Sequence, residues 1–281
     1  MERRTARTVR IVVDVCVTIL VATPTIALYI GNVAPVRRGF FCNDENIMYP
    51  YKEKDTVGIA MVAGICFGST LLLLLPTEIV QYRSAMKDGR AMGGKAICCC
   101  TQFNPCIYTI CSYFWLMQFG AMATQALTDI GKYSVGRLRP NFFAGCRPDI
   151  NLTDCTMEYI TDYNCLQPHA DILHFIRTSF PSGHASQSAY VATFLCYYIQ
   201  TRIPRFDLSY LYKHFLQFLL MTAAYFTGLS RILDYKHHMS DVLAGFLLGA
   251  TVALLTVKYV AKSFRDPYRT AGRVSRRDAN V

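Results

Sequence analysis

The chain has 281 residues, of which 52% are apolar and only 17% are charged, and its formal net charge is +10. Soluble domains carry charge on roughly a quarter of their residues, so an ordinary cytosolic domain is excluded, as are collagen-like, disordered and disulfide-scaffold proteins. The basic residues do not form a single patch or stripe, which argues against a nucleic-acid partner.

Six stretches hold at most one charged side chain over the ~20 residues that a helix needs to cross a bilayer. The third is the clearest, because no charged residue occurs between Lys95 and Asp129. The first stretch is too long for a secretory signal peptide and lacks a convincing cleavage site. The sequence therefore predicts an all-α membrane protein with six transmembrane helices. The predicted spans are 11–34, 57–76, 105–128, 185–201, 215–230 and 242–261.

An even number of crossings places both termini on one side of the membrane. That side, which includes the connections near residues 82–104 and 202–214, holds 18 of the 29 Lys and Arg residues. The positive-inside rule then predicts that both termini are cytosolic. The expected organisation is a cytosolic segment 1–10, a six-span domain 11–262 with a large outward loop 131–181, and a basic cytosolic tail 263–281.

The outward loops carry signs of an oxidising compartment. Asn151-Leu152-Thr153 is a glycosylation sequon, which predicts a glycan on Asn151. The only cysteines predicted on this side are Cys42, Cys146, Cys155 and Cys165. We expect at least one disulfide among the last three, with the pairing left open. Cys98, Cys99 and Cys100 lie at the cytosolic start of the third span, where S-palmitoylation is expected.

Three clusters of polar residues lie beside the predicted spans on the outward side. The first follows span three and contains Lys132 and Arg139-Pro140. If the helix continued, the seven-residue spacing would place both cations on one face, and Pro140 would end the helix. Arginine offers a planar fork that matches phosphate oxygens. The alternative is that both side chains snorkel to lipid headgroups.

The second cluster, Pro181-Ser182-Gly183-His184, precedes span four. Ser182 is a favourable N-cap, Gly183 allows a ligand to approach the backbone, and helix N-termini attract anions. His184 can exchange a proton with a leaving oxygen or with water. In isolation, the cluster is also compatible with an ordinary capped helix.

The third cluster joins spans five and six and contains Arg231, His237, His238 and Asp241. His237 and Asp241 are four residues apart, so on a helix the carboxylate can approach the imidazole, fix its tautomer and leave the other nitrogen as a nucleophile. An ordinary capped helix is again the alternative. His238 is three residues from Asp241 and competes for the same assignment.

The order and spacing of these clusters resemble a known family. Lys132 with Arg139-Pro140, Pro181-Ser182-Gly183-His184, and Ser230-Arg231 with His237 and Asp241 match the KxxxxxxRP, PSGH and SRxxxxxHxxxD signatures of the type 2 phosphatidic acid phosphatase superfamily. The segments Phe41-Cys-Asn-Asp-Glu and Tyr49-Pro-Tyr-Lys-Glu53 resemble the animal lipid phosphate phosphatases. The resemblance covers most of the chain except its tails.

This resemblance implies an active site at the outward ends of spans three to six. His237 is then the nucleophile that forms a phosphohistidine, His184 is the general acid and later the base, and Asp241 orients His237. The residues expected to bind the phosphate are Lys132, Arg139, Ser182, Gly183 and Arg231. No cofactor or divalent metal is expected, because protein cations supply the charge and no metal-ligand cluster is visible in the sequence.

The implied substrates are phosphatidate, lysophosphatidate, sphingosine 1-phosphate and ceramide 1-phosphate, without a ranking among them. Their hydrolysis would attenuate lipid-phosphate signalling at the plasma membrane, with endomembranes as the alternative location. The competing functions are a sugar-phosphate phosphatase of the endoplasmic reticulum and a non-enzymatic lipid-phosphate receptor, scaffold or transporter. The sequence leaves the oligomeric state open, including a homo-oligomer.

Overall fold

The computed structural model describes residues 2–31, 33–88, 96–98, 101–150, 158–203 and 211–260. These ranges are mainly helical, with two short antiparallel strand pairs, β1 (Phe40–Phe41) with β4 (Tyr159–Ile160) and β2 (Ala96–Cys98) with β3 (Thr101–Phe103). The helices are α1 (Glu2–Ile30), α2 (Ile59–Lys87), α3 (Pro105–Val135), α4 (Phe142–Cys146), α5 (Ala170–Ile176), α6 (Gly183–Arg202), α7 (Tyr212–Leu233) and α8 (Met239–Leu255), which continues as a π-helix, Thr256–Val260.

Five helices in the described part of the chain are long and apolar enough to cross a bilayer. This agrees with the predicted all-α membrane protein. The five segments are Val12–Ile30, Ile59–Lys87, Pro105–Val135, Tyr212–Leu233 and Met239–Tyr259.

The fourth predicted span corresponds to α6, which is not among these five segments. This helix contacts α2, α3, α7 and α8, and Tyr190, Phe194 and Tyr198 on it are fully buried. Polar residues of membrane helices face the interior of the bundle, so a helix covered by its neighbours does not need a uniformly apolar surface. The low apolar content of α6 follows from this central position.

The ends of two helices differ from the prediction. Helix α2 continues through Pro76 to Lys87, whereas the predicted span ended at the proline. Helix α3 ends at Val135 because Gly136 adopts a left-handed conformation, with φ of 59°, and its amide donates to the carbonyl of Lys132. The expectation that Pro140 ends this helix is therefore wrong.

The loops that connect the helices pack together at one end of the bundle, called here the loop end. It is formed by residues 33–58, 136–150, 158–182 and 234–238. Phe40, Phe142 and Tyr163 form part of its buried apolar cluster. A disulfide joins Cys146 to Cys165, which confirms the expected bridge, and Cys42 is also disulfide-bonded.

Helices α6 and α8 approach each other closely near the loop end. A Cβ on Gly249 would lie 2.0 Å from the carbonyl oxygen of Ser186, and one on Gly245 would lie 2.6 Å from that of Ser182. The amide of Ser182 donates to the carbonyl of Asp241 at 3.0 Å. The absence of side chains at these glycines lets the first turns of α6 and α8 meet, which brings the second and third sequence clusters together.

Candidate active site

A cavity of about 750 Å³ opens between the helices and the loop end. Its apolar wall includes Leu28, Tyr29, Ile59 and Val62 from α1 and α2. Residues from all three sequence clusters line its polar wall, so the tertiary structure unites segments that are more than 100 positions apart. These residues are Lys132, Arg139, Gly183, His184, Arg231 and His237.

The imidazole of His237 is held in one orientation. Its Nδ1 donates to the carbonyl oxygen of Ser179 at 2.6 Å, and Arg139 Nη1 lies 3.3 Å from Nε2. A carbonyl can only accept a hydrogen bond and a guanidinium can only donate one, so Nδ1 carries the proton and the lone pair of Nε2 accepts from Arg139. The ring is 4% exposed. His237 therefore keeps an unprotonated nitrogen beside the guanidinium of Arg139, and both residues line the cavity.

His238 is not among the residues that line this cavity. It occupies the N-cap position of α8, where its backbone amide donates to Asp241 Oδ2 at 3.0 Å and its Nδ1 lies 3.1 Å from the same oxygen. This reciprocal arrangement resembles a capping box. The structure thus separates two adjacent histidines that the sequence left in competition.

Asp241 does not bind His237 directly. Its Oδ2 lies 4.0 Å from His237 Nδ1, which is beyond hydrogen-bond distance, and it accepts instead from Ser179 Oγ at 2.6 Å. Arg137 Nη1 binds the other carboxylate oxygen at 2.5 Å. The expected contact between Asp241 and His237 is therefore wrong. Asp241 is connected to His237 through Ser179, whose hydroxyl binds the carboxylate and whose carbonyl binds the imidazole.

Arg139 is buried and connects three loops. Its Nε donates to the carbonyl of Phe175 at 2.7 Å, Nη1 to that of Lys236 at 2.9 Å and Nη2 to that of Thr178 at 3.1 Å. The guanidinium also lies over the Phe175 ring. Because α3 has ended, Arg139 reaches the cavity from a loop and does not share a helical face with Lys132. Arg139 therefore places a cation beside His237 and also links the backbone of the surrounding loops.

The cation of Arg231 is held by two carboxylates. Nη2 donates to Asp234 Oδ2 at 2.8 Å, whereas Nη1 lies 3.3 Å from Asp55 Oδ2. Nε donates to Ser230 Oγ at 3.2 Å. Arg231 is only 2% exposed, so these contacts satisfy a buried guanidinium.

Lys132 approaches the start of α6. A Cβ on Gly183 would lie 3.3 Å from Lys132 Nζ, so the glycine leaves room for the ammonium beside the helix N-terminus. The fully buried carboxylate of Asp129 lies 3.8 Å from the same nitrogen. This geometry places a cation next to the amides that the second cluster contributes.

Two polar atoms at the start of α6 are buried without a hydrogen bond to any described residue, His184 Nε2 and Ser182 Oγ. Ser182 holds the predicted N-cap position, but its side chain makes no capping hydrogen bond. Buried polar groups are nearly always paired in proteins. His184 lines the cavity, so its Nε2 is suited to a polar ligand there, whereas Ser182 is not among the lining residues.

The chain is similar to known proteins over most of its length. A profile of the PAP2 superfamily matches residues 113–265. Phospholipid phosphatase 1 of Mus musculus is 38% identical over 259 residues, which cover 92% of this chain and 87% of that protein. Phospholipid phosphatase 2 of Homo sapiens is 36% identical over 259 residues, covering 92% and 85% of the two chains. No solved structure matches.

The chain belongs to the PAP2 superfamily. The matched segment extends from Tyr113 in α3 through α8 and includes every candidate catalytic and phosphate-binding residue. The family resemblance inferred from the motifs is confirmed, and so is the expectation of a phosphatase. With its long apolar helices, this PAP2 protein is a multi-pass membrane protein.

Several residues of this PAP2 site had no recognisable signal in the sequence. Ser179 and Phe175 contribute backbone carbonyls, which no side-chain pattern reports. Asp55 comes from a distant loop. Asp234, three residues after Arg231, was the one detectable member, since an Arg-to-Asp spacing of three permits an ion pair on a helix.

Other expectations concern residues that lie outside the described ranges. Asn151, Cys155, Cys99 and Cys100 lie outside those ranges, as does the tail 263–281. Among the described residues, no group of three His, Cys, Asp or Glu side chains is arranged to hold a metal ion. These expectations stay predictions.

Burial and neighbouring cations oppose protonation of His237. Desolvation is the largest cause, followed by Arg139 and Lys132, and together they lower the pKa of His237 well below its ordinary value. A lowered pKa means that the proton binds only at a pH below the ordinary histidine range. We therefore expect the ring to stay neutral from pH 8 down to about pH 6.

This expectation can be measured by NMR on protein with ¹⁵N-labelled histidine in phosphate-free detergent micelles. The His237 resonances are assigned by their loss in His237→Ala. They should keep the chemical shifts of an Nδ1-protonated neutral ring across this pH range. A titration midpoint for His237 near pH 6.5 would contradict the electrostatic account of the site.

Proposed function

We propose that this PAP2 protein is a metal-independent hydrolase of lipid phosphomonoesters that acts through a phosphohistidine. The supporting observation is the arrangement of His237, whose Nδ1 donates to the Ser179 carbonyl and which lines one cavity with Lys132, Arg139 and Arg231. A nucleophile whose other nitrogen is held by a carbonyl and which is surrounded by fixed cations suits attack on a phosphate dianion.

In the first step, His237 Nε2 attacks the phosphorus in line, a P–N bond forms and the bond to the lipid oxygen breaks. His184 gives its proton to the departing alkoxide. In the second step, His184 takes a proton from water, whose oxygen attacks the phosphorus and releases inorganic phosphate from His237. Lys132, Arg139, Arg231, the Ser182 hydroxyl and the Gly183 amide stabilise the equatorial oxygens.

His184 must be protonated before the first step, and the phosphate itself assists. His184 lines the cavity together with the cations of Lys132, Arg139 and Arg231, and its buried Nε2 has no hydrogen-bond partner among the described residues. A phosphate dianion between the imidazole and these cations offsets their repulsion and favours the charged ring. The acid is thereby generated when substrate is bound.

Asp241 supports His237 indirectly in this scheme. It accepts from the Ser179 hydroxyl and caps α8 through the His238 amide, so it fixes both chain segments that position the nucleophile. The Ser179 carbonyl, bound to His237 Nδ1, stabilises the proton on that nitrogen when the ring gains positive charge. This assigns Asp241 as a positioning residue.

The composition of the cavity favours a lipid substrate. The residues of α1 and α2 that line it, including Leu28 and Ile59, are apolar, and they adjoin the polar wall that would hold the phosphate. Acyl chains can remain along this apolar surface while the headgroup reaches His237. The proposed substrates are phosphatidate, lysophosphatidate, sphingosine 1-phosphate and ceramide 1-phosphate. The names of the relatives support a phospholipid phosphatase without choosing among these lipids.

The proposed topology has six crossings, with α6 as the fourth. At 20 residues this helix is about 30 Å long, which matches the thickness of the hydrocarbon core. The excess of Lys and Arg then favours cytosolic termini and a loop end on the outer or lumenal side. Plasma membrane is the proposed location, with endomembranes as the alternative, and glycosylation of Asn151 and homo-oligomerisation remain proposals.

The direct test is release of inorganic phosphate from phosphatidate in detergent micelles that contain excess chelator. Because protein cations would supply the electrostatic stabilisation, activity should stay within about twofold of the untreated enzyme. Glucose 6-phosphate, a soluble monoester, should be a much poorer substrate because it has no acyl chains to bind the apolar wall. Loss of activity with chelator would contradict the metal-free scheme, and a preference for the sugar phosphate would contradict the lipid assignment.

A further inference from the structure

The loop before α2 is held against the candidate site by the buried carboxylate of Asp234. Thr56 donates to it through its backbone amide and its hydroxyl, both at 2.7 Å, and Lys52 Nζ donates to Oδ1 at 2.5 Å. Charge-assisted hydrogen bonds of this length are among the stronger ones in proteins. They fix residues 52–56 beside Arg231, which binds the same carboxylate.

Asp55 lies within this fixed loop but is held differently. Its carboxylate lines the cavity and is 30% exposed. Its contacts with cations are longer than those of Asp234, at 3.3 Å to Arg231 Nη1 and 3.6 Å to Lys236 Nζ. The fixed backbone at Thr56 keeps Asp55 at the cavity wall, while the loose ion pairs leave its side chain able to rotate.

We propose that Asp55 is an exchangeable counter-anion of the phosphate site, which pairs with Arg231 and Lys236 in the free protein and competes with the incoming phosphate for Arg231. The inference rests on the proposed function, because it assigns to Arg231 a phosphate as its alternative partner. In the free site the carboxylate reduces the repulsion between two buried cations. In the complex the phosphate dianion takes over that role.

The contacts of Arg231 support exchange and not a purely positioning role for Asp55. When Asp55 withdraws, Arg231 still donates Nη2 to Asp234 and Nε to Ser230 Oγ. The guanidinium therefore keeps its orientation and presents Nη1 to the cavity. Lys236 also keeps its place, since its ammonium lies over the Tyr51 and Phe175 rings.

This competition has a functional consequence. A resident carboxylate weakens the binding of any anion at Arg231, including the inorganic phosphate that hydrolysis releases. Asp55 would thus limit product inhibition in a site whose fixed cations otherwise retain phosphate. Removing its charge should make phosphate bind more tightly.

The test is isothermal titration calorimetry of detergent-solubilised full-length protein with inorganic phosphate. This measurement needs no turnover. Asp55→Asn should lower the phosphate Kd by about tenfold, the order expected when one carboxylate is removed within a few ångströms of a partly solvated anion. Asp55→Ser, which removes the charge with a smaller side chain, should do the same. Glu53→Gln is the matched control, because Glu53 is an exposed carboxylate in the same loop and should leave Kd within about twofold.

Equal phosphate affinity in the wild type and both Asp55 variants, including no measurable binding by any of them, would overturn the inference. Weaker binding by the variants would also overturn it and would make Asp55 a positioning residue for Arg231. Hydrolysis of phosphatidate by the same preparations separates the two proposals. A wild type that binds phosphate but does not hydrolyse the lipid contradicts the proposed function, while the affinity comparison still decides the role of Asp55.

Discussion

Replacing His237 by alanine is expected to lower kcat for phosphate release by about 10⁴-fold or more, the order seen when a covalent nucleophile is removed. Replacing His238 by alanine should cost about tenfold or less. His238→Ala removes one hydrogen bond to Asp241, worth about 1 kcal/mol, but keeps the backbone amide that also binds this carboxylate. The two adjacent variants form a matched pair, because both delete an imidazole at the start of α8.

Both variants should be measured on phosphatidate in the same micelles, with thermal unfolding as a control for folding. Rapid base quenching after mixing with ³²P-labelled substrate should trap labelled protein in the wild type and in His238→Ala, and none in His237→Ala. A large loss of activity in His238→Ala with a mild loss in His237→Ala would mean that His238 is the nucleophile. Label retained by His237→Ala would place the nucleophile elsewhere.

Replacing Arg202 by methionine is expected to destabilise the protein by about 3–5 kcal/mol, because it leaves the buried charge of Glu78 unpaired. Arg202 Nη2 and Nε bind the two Glu78 oxygens at 2.7 and 3.0 Å, and neither residue is more than 4% exposed. Tyr198 also donates to Glu78 at 2.7 Å. The pair joins α2 to the last turn of α6, the helix whose first turn carries His184.

The double variant Glu78→Gln with Arg202→Met is the control for this prediction. It removes both charges and keeps an acceptor for Tyr198, so it should recover most of the lost stability. The free energy of unfolding can be measured in mixed micelles by titration with a denaturing detergent. If Arg202→Met alone is as stable as the double variant, the loss of stability does not arise from an unpaired charge on Glu78.

The residues that form the cavity were predictable to an unusual extent, because their chemistry is costly beside a membrane. Lys132, Arg139, His184, Arg231 and His237 were each identified from charge at the edge of an apolar segment, and all five line one cavity. The geometry predicted to bring them together was less accurate. Lys132 and Arg139 do not share a helical face, since Gly136 ends α3 between them.

The absence of a direct hydrogen bond between Asp241 and His237 shows why spacing alone is insufficient. A four-residue separation places two side chains on one face only when both residues belong to the helix. His237 precedes the N-cap of α8, so its ring turns toward the Ser179 carbonyl, and Asp241 turns toward Ser179 Oγ and the His238 amide. The hydrogen bonds that cap the start of α8 therefore determine the directions of the His237 and Asp241 side chains.

The contacts of Asp55 and Ser179 could not be predicted from the residues that neighbour them in the sequence. Asp55 is 176 positions from Arg231, and nothing in its own surroundings predicts an ion pair with it. Ser179 contributes a carbonyl that every residue possesses. Contacts of this kind depend on how loops fold back over the bundle, which residue types do not encode locally.

The sequence by itself determined the membrane class, the family and the identity of the polar residues, because apolar length, charge and motif spacing are properties of neighbouring residues. Only the tertiary structure decided which histidine faces the cavity, what holds it there and which carboxylates neutralise the cations. Those outcomes arise from long-range packing of α6 against α8 and of the loops against both. They required the positions of carbonyls and distant side chains relative to one another.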